Sequence, residues 1–200
     1  MQKIILATLN QWKLIEFIQI TKTNNFLIEF EPISRKLGDI IDENGTNYLD
    51  NALIKANMAY EYYKSPVLSD DSGLELMNFN NIPGVYSARY AGINATEKEN
   101  RNKLKKFLFN NNLTSTPARY RCVLVYKSKL DQYNFFEAIW EGTIIINYSD
   151  NCEGFGYDPM FIPIGCNQTI TKIDLKYKNT FSHRAKAMTQ FFQFLLSDQE

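Results

Sequence analysis

The chain opens on an apolar run at residues 4–7, and after a polar gap Leu14, Ile15 and Ile18 recur at helical spacing. That pattern predicts a short buried strand, a polar loop and a helix. Residues 26–30 predict a second strand. From Asn47 onward, Leu49, Ala52, Leu53, Ala56 and Ala59 form one apolar stripe. They predict a helix with Asn47 as its N-cap and Asp50 near the positive end of its dipole. Pro66 closes that stretch, and Val67-Leu68 begins a strand predicted to stop at Asp70-Asp71, where Gly73 would turn the backbone before a further strand over residues 73–79. Residues 80–92 hold Pro83, Gly84 and Gly92 and predict a long shaped loop. Residues 97–109 predict a surface helix that buries Leu104, Phe107 and Leu108. The β-branched and aromatic runs 120–127 and 135–146, on either side of Lys129-Leu130-Asp131-Gln132, predict an antiparallel pair. A last helix beginning near Ser182 would bury Ala185, Met188, Phe192 and Leu195. Helices alternating with strands, plus one hairpin, predict an α/β fold on a mixed sheet.

Two hundred residues suffice for one compact domain with a substantial core, or for one domain split into two lobes, and no linker marks a boundary. Lysine and arginine together number 22 and so do aspartate and glutamate. This balance excludes the broad basic face of a nucleic-acid binder and leaves room for a small charged ligand. The three cysteines, Cys122, Cys152 and Cys166, are odd in number and form no Cys-x-x-Cys pair, which argues against a disulfide framework and a zinc site. Free thiols in a reducing cytoplasm fit them, and the first apolar run is too short for a signal-peptide core or a membrane span.

Four polar clusters lie beside apolar runs. Ser69-Asp70-Asp71-Ser72-Gly73-Leu74 places two adjacent carboxylates beyond the end of a predicted strand, where an open α/β sheet presents its ligands. Paired acids there suggest a bound cation, and plain turn chemistry is the alternative. Thr8-Leu9-Asn10-Gln11-Trp12-Lys13 joins the first strand to the first helix, where free N–H groups and the dipole favour an anion and Lys13 adds its charge. Asp42 and Glu43 precede Gly45 and the helix carrying Lys55. Such hard oxygen donors suit Mg²⁺, and a solvated acidic loop is the plainer reading. Gly154-Phe155-Gly156-Tyr157-Asp158-Pro159 offers aromatic rings for packing or for stacking on a base. His183, the only histidine, adjoins Arg184, whose planar donors suit a purine carbonyl or a phosphate, and Lys178 is near in sequence.

Taken together, these stretches, with Asn51-Ala52-Leu53-Ile54-Lys55-Ala56, Pro83-Gly84-Val85-Tyr86-Ser87-Ala88-Arg89-Tyr90-Ala91-Gly92 and Ser182-His183-Arg184, resemble the inosine triphosphate pyrophosphatase family across nearly the whole chain. The resemblance implies an elongated central mixed β-sheet flanked by helices, with two lobes and an active-site cleft between them, in a single domain over residues 1–200. It implies Mg²⁺-dependent hydrolysis of non-canonical purine nucleoside triphosphates (ITP, dITP, XTP) to the monophosphate and pyrophosphate, clearing them from the nucleotide pool. It also implies a cytoplasmic homodimer with no nucleic-acid polymer and no membrane as partner. Carried over by position, Thr8, Leu9, Asn10, Gln11, Trp12, Lys13 and Lys55 would grip the triphosphate. Asp71 would be the general base and, with Asp42, a metal ligand, with Ser72 beside it. Phe155, Gly156, Tyr157, Asp158, Lys178, His183 and Arg184 would contact the nucleotide and its base, Arg184 as donor to the 6-carbonyl. The chain departs from the family's usual pattern at Leu9 and Ala185, where Gly is common, and at Asp42, where Glu is common. A pyrophosphatase for modified pyrimidine or methylated nucleotides and a nucleotide-binding module without turnover are the alternatives.

Overall fold

The structure, a computed structural model, describes residues 2–149 and 154–198, so Cys152 lies outside the described residues. In chain order the elements are β1 (Gln2–Leu6), α1 (Gln11–Thr23), β2 (Ile28–Pro32), α2 (Arg35–Gly38), α3 (Tyr48–Tyr63), β3 (Val67–Leu76), α4 (Glu97–Asn110), β4 (Ser115–Lys129), β5 (Gln132–Ile145), β6 (Phe161–Pro163), α5 (Leu175–Phe181) and α6 (His183–Ser197). The strands form one mixed sheet in the order β2-β1-β3-β4-β5-β6. β1 runs parallel to both its neighbours, with Ile4 opposite Phe30 and Leu6 opposite Leu68, and β6 runs antiparallel to β5 with Ile162 opposite Thr143. Leu130-Asp131 is the whole connection between β4 and β5, a length that joins only antiparallel neighbours.

Helix ends follow local chemistry. Asn47 Oδ1 accepts from the Asp50 N–H at 2.9 Å, Thr96 and Glu99 form a reciprocal capping box, and Ser182 Oγ accepts from the Ala185 N–H at 3.1 Å. One element departs from the sequence pattern. β3 does not stop at Asp70-Asp71 but continues for ten residues, all buried except the half-buried Ser72. A strand with neighbours on both edges and cover on both faces shows no alternation of burial, so the two acids interrupt its hydrophobicity and not its backbone. Gly73 therefore lies within the strand and makes no turn, and the strand predicted over residues 73–79 is the second half of β3.

By its contacts the chain forms two compact units. The first comprises Met1–Asp71, Cys122–Ala138 and Asn179–Glu200, and the second Ser72–Arg121 and Ile139–Lys178. Each has its own core. The first buries Ile4, Leu6, Phe17, Leu68, Leu124 and Phe191 in one cluster, and the second buries Leu74, Leu104, Leu108, Trp140, Met160 and Phe161 in another. Among the described residues no helix is long and apolar enough to cross a membrane.

Candidate active site

Because side chains alternate along a strand, Asp70 and Asp71 leave β3 on opposite faces, and each meets different cations of the first unit. Lys13 Nζ of α1 lies 3.0 Å from Asp70 Oδ1, and Arg184 of α6 donates through Nη2 to Asp70 Oδ2 at 3.1 Å. The same guanidinium donates through Nη1 to Glu16 Oε2 at 2.6 Å and stands over the Phe17 ring. Asp71 faces α3, where Asn51 Nδ2 donates to Asp71 Oδ2 at 3.1 Å and Lys55 Nζ lies 3.6 Å from Asp71 Oδ1. Asn51 and Lys55 are four positions apart and so share one helix face. Asn51 Oδ1 accepts from the Gly45 N–H at 2.8 Å, which orients its amide toward Asp71. Asn51 and Glu16 are therefore site residues that the sequence reading missed. Spacing from Lys55 points to the first, and nothing local points to the second.

Both carboxylates are buried, and their surroundings drive them apart. Burial would raise Asp70, but Lys13, Arg184 and Lys55 outweigh it and hold the carboxyl well below the usual carboxylate range. Burial also raises Asp71. There Lys55 and Lys13 oppose it incompletely, Glu43 adds to the rise, and the Asn51 hydrogen bond subtracts from it. Two neighbouring acids with diverging pKa values mark one as a permanent anion and the other as a group able to take a proton. Burial tends to discharge Lys55, but Asp71, Glu43 and Asp70 reverse this and keep it cationic.

The cation expected at Asp42 and Asp71 finds a somewhat different donor set. Asp42 is exposed, and its Oδ2 accepts from Asn44 Nδ2 at 3.2 Å. Glu43 is the acid that turns inward, with Lys55 Nζ donating to its Oε2 at 2.9 Å. Glu43 and Asp71 thus share one ammonium. Two carboxylates converging on one positive charge, with all-oxygen donors, fit a hard divalent ion that keeps several waters and completes its shell with phosphate oxygens.

The expectation of free amides at the start of α1 needs correction. Asn10 Oδ1 accepts from the N–H groups of Trp12 and Lys13 at 2.9 and 3.2 Å, and Thr8 Oγ1 accepts from the Asn10 N–H at 3.1 Å. An N-cap side chain thereby occupies donors that the sequence reading left for an anion. Gln11 and Trp12 are exposed. Leu9 is accommodated by Gly38, where a Cβ would fall 2.5 Å from Leu9 Cγ. Gly38→Ala is expected to destabilise the protein by about 1 kcal/mol, the lower end for overpacking. Leu9→Ala should relieve much of that loss. Urea unfolding of the two single variants and the double variant checks this, since strict additivity would mean that Leu9 does not rest on Gly38.

The second unit carries the other cluster. Asp158 is buried, accepting from Tyr120 OH at 3.1 Å and from Lys178 Nζ at 2.8 Å. Burial and the Asp158 charge keep Tyr120 protonated, its pKa well above the usual phenol value. Tyr157, expected to offer a ring for stacking, is packed in the core and donates its hydroxyl to the Ser87 carbonyl at 2.9 Å. Phe155 and Gly156 are half-buried, and so is Ser72, which follows Asp71 on β3. His183 and Arg184 open α6 in the first unit. Both are buried, with Arg184 1% exposed. The donor expected to read a 6-carbonyl is thus enclosed between two carboxylates.

The sequence model of the Ham1 family matches residues 4–194. A dITP/XTP pyrophosphatase of Malacoplasma penetrans is 52% identical over 196 residues, 96% of this chain and 98% of that protein. Another, of Aliarcobacter butzleri, is 39% identical over 192 residues, 93% and 94% of the two chains. The structure of a HAM1 protein from Coxiella burnetii matches with a TM-score of 0.85 at 33% identity, covering 98% of this chain and 100% of that one. The Staphylococcus aureus Ham1 protein matches with a TM-score of 0.82 at 30% identity and the same coverage. On a family match over nearly its whole length and a relative identical at half of its positions, the chain belongs to the Ham1 family.

Proposed function

We propose that this protein hydrolyses the non-canonical purine nucleoside triphosphates ITP, dITP and XTP to the monophosphate and pyrophosphate, as a single pyrophosphatase domain. The observation that carries this is the Asp70-Asp71 pair, one carboxylate held ionised by Lys13 and Arg184 and the other raised by burial beside Lys55 and Asn51. The water oxygen attacks the α-phosphorus, the bond from that phosphorus to the pyrophosphate oxygen breaks, and Asp71 accepts the water proton. A positioned base of raised pKa is a better acceptor than an ordinary carboxylate. Lys13 and Lys55, with residues 8–12, are assigned to the triphosphate. Phe155, Gly156, Tyr157, Asp158, Lys178 and His183 are assigned to the nucleoside, Tyr157 by holding its loop.

Asp71 and Glu43 would hold Mg²⁺, with Asp42 exposed beside them. When bound, the ion supplies charge neutralisation at the phosphate oxygens. The same reading makes the protein a cytoplasmic homodimer acting on free nucleotides.

Pyrophosphate release from ITP, dITP, XTP, GTP and ATP, with Mg²⁺ and with chelator, tests it. Fast release from the first three in Mg²⁺ alone, and little from GTP or ATP, is expected. Saturable ITP binding without release from folded protein would replace the enzyme with a binding module.

A further inference from the structure

The segment 155–158 is anchored unevenly. Tyr157 and Asp158 hold themselves through their own side chains, on Ser87 and on Tyr120 with Lys178. Gly156 has no side chain, and it takes the left-handed conformation with φ +58°. It is held from α4. Arg101 Nη1 donates to the Gly156 carbonyl at 2.8 Å and lies 3.9 Å from Glu97 Oε2, one helical turn back. Burial raises the Glu97 carboxyl, and the Gly156 backbone and Arg101 draw it down again while Asp158 adds to the rise, so the acid stands against the same peptide.

Arg101 is itself buried at 7% exposure. Placing a guanidinium there is unfavourable unless its hydrogen bonds do something a neutral side chain would not. Its bond to Gly156 fixes a residue that has no side chain to anchor it, and through it the neighbouring Phe155. We propose that Arg101, supported by Glu97, is a positioning residue that sets Phe155 against the purine and so governs affinity for the base, leaving the phosphoanhydride chemistry untouched. This rests on the assignment of residues 155–158 to the nucleoside made above.

Inosine 5′-monophosphate and pyrophosphate separate the two halves of the substrate, and calorimetry with each is the test. Arg101→Met is expected to weaken inosine monophosphate about tenfold, the value of one charge-assisted hydrogen bond, and to leave pyrophosphate affinity unchanged. Turnover of saturating ITP should stay within about twofold while KM rises about tenfold, the signature of lost binding that is equal in ground and transition states. Glu97→Gln, at a partly exposed side chain, should shift inosine monophosphate in the same direction by a smaller factor without disturbing the fold. Arg101→Lys should recover part of the loss. Unchanged monophosphate affinity, or equal weakening of monophosphate and pyrophosphate, would overturn the proposal. Wild-type protein that binds pyrophosphate but not inosine monophosphate would instead overturn the assignment of the segment, and the positioning role with it.

Discussion

Asp71→Asn is expected to lower turnover of ITP by about 10³-fold, the middle of the range for removing a positioned general base. The protein should remain folded, and the physical reason is specific. Asn51 Nδ2 donates to Asp71 Oδ2, and an asparagine carbonyl at position 71 accepts the same bond. Lys55 loses one anionic neighbour but keeps Glu43 at 2.9 Å. The wild-type carboxyl is raised in the folded state, so its ionised form is disfavoured there relative to the unfolded chain. Any stability linked to this group is complete below the unfolded pKa and is lost as pH rises through the folded one. At neutral pH the neutral asparagine removes that loss, and thermal unfolding should show a Tm no lower than wild type. On the proposed mechanism the wild-type rate should fall as acid protonates Asp71. A variant that kept wild-type turnover would assign the proton to another acceptor, and Glu43 would be the first to examine.

What the sequence alone made legible was what local rules govern. The helix from Leu49 to Ala59 and its Asn47 cap follow local rules and form as expected, with Ala52, Ala56 and Ala59 of the stripe buried and Leu49 and Leu53 half-buried. The hairpin of β4 and β5 shows in two β-rich runs and a short polar link. Continuation of β3 through its two acids was not legible, because it depends on β1 and β4 flanking that strand, and the pairing partners lie far away in the chain. The choice between Asp42 and Glu43 for Lys55 depends on the path of a loop, and adjacent acids carry no sign of which turns inward. Asn10 reads equally well as a ligand contact and as a cap, and its bonds from the Trp12 and Lys13 N–H groups show the cap. Tyr157 belongs to the core because Ser87, 70 positions away, offers its carbonyl. Arg184 is the clearest case. Its neighbour Glu16 is 168 positions distant, and no spacing rule connects them.

That distance sets up the second large effect. Arg184→Met is expected to destabilise the protein by about 3–5 kcal/mol at neutral pH, the usual loss when one partner of a buried ion pair is removed and the other charge stays behind. Two buried carboxylates, Glu16 and Asp70, would lose the guanidinium they share, with Lys13 still beside Asp70. Arg184→Lys keeps the charge but not the geometry. Nη1 and Nη2 serve different carboxylates at 2.6 and 3.1 Å, and one ammonium cannot copy a planar fork, so an intermediate loss is expected. The pH dependence gives the sign. Asp70 is depressed in the folded state, so its contribution is present above the unfolded carboxylate pKa and disappears as pH falls through the lower folded value. Without Arg184 the depression of Asp70 weakens, and acid that protonates that carboxyl removes the penalty. The gap in stability between wild type and Arg184→Met should therefore narrow as pH is lowered toward and below the ordinary carboxylate range. Chemical unfolding at neutral and acid pH measures it. A guanidinium that reads the purine would behave differently, with Arg184→Met close to wild type in stability at every pH and altered only in its choice between ITP and ATP. The two outcomes separate a strut that keeps Asp70 ionised next to Asp71 from a residue that touches substrate, and the enclosed position of Arg184 favours the strut.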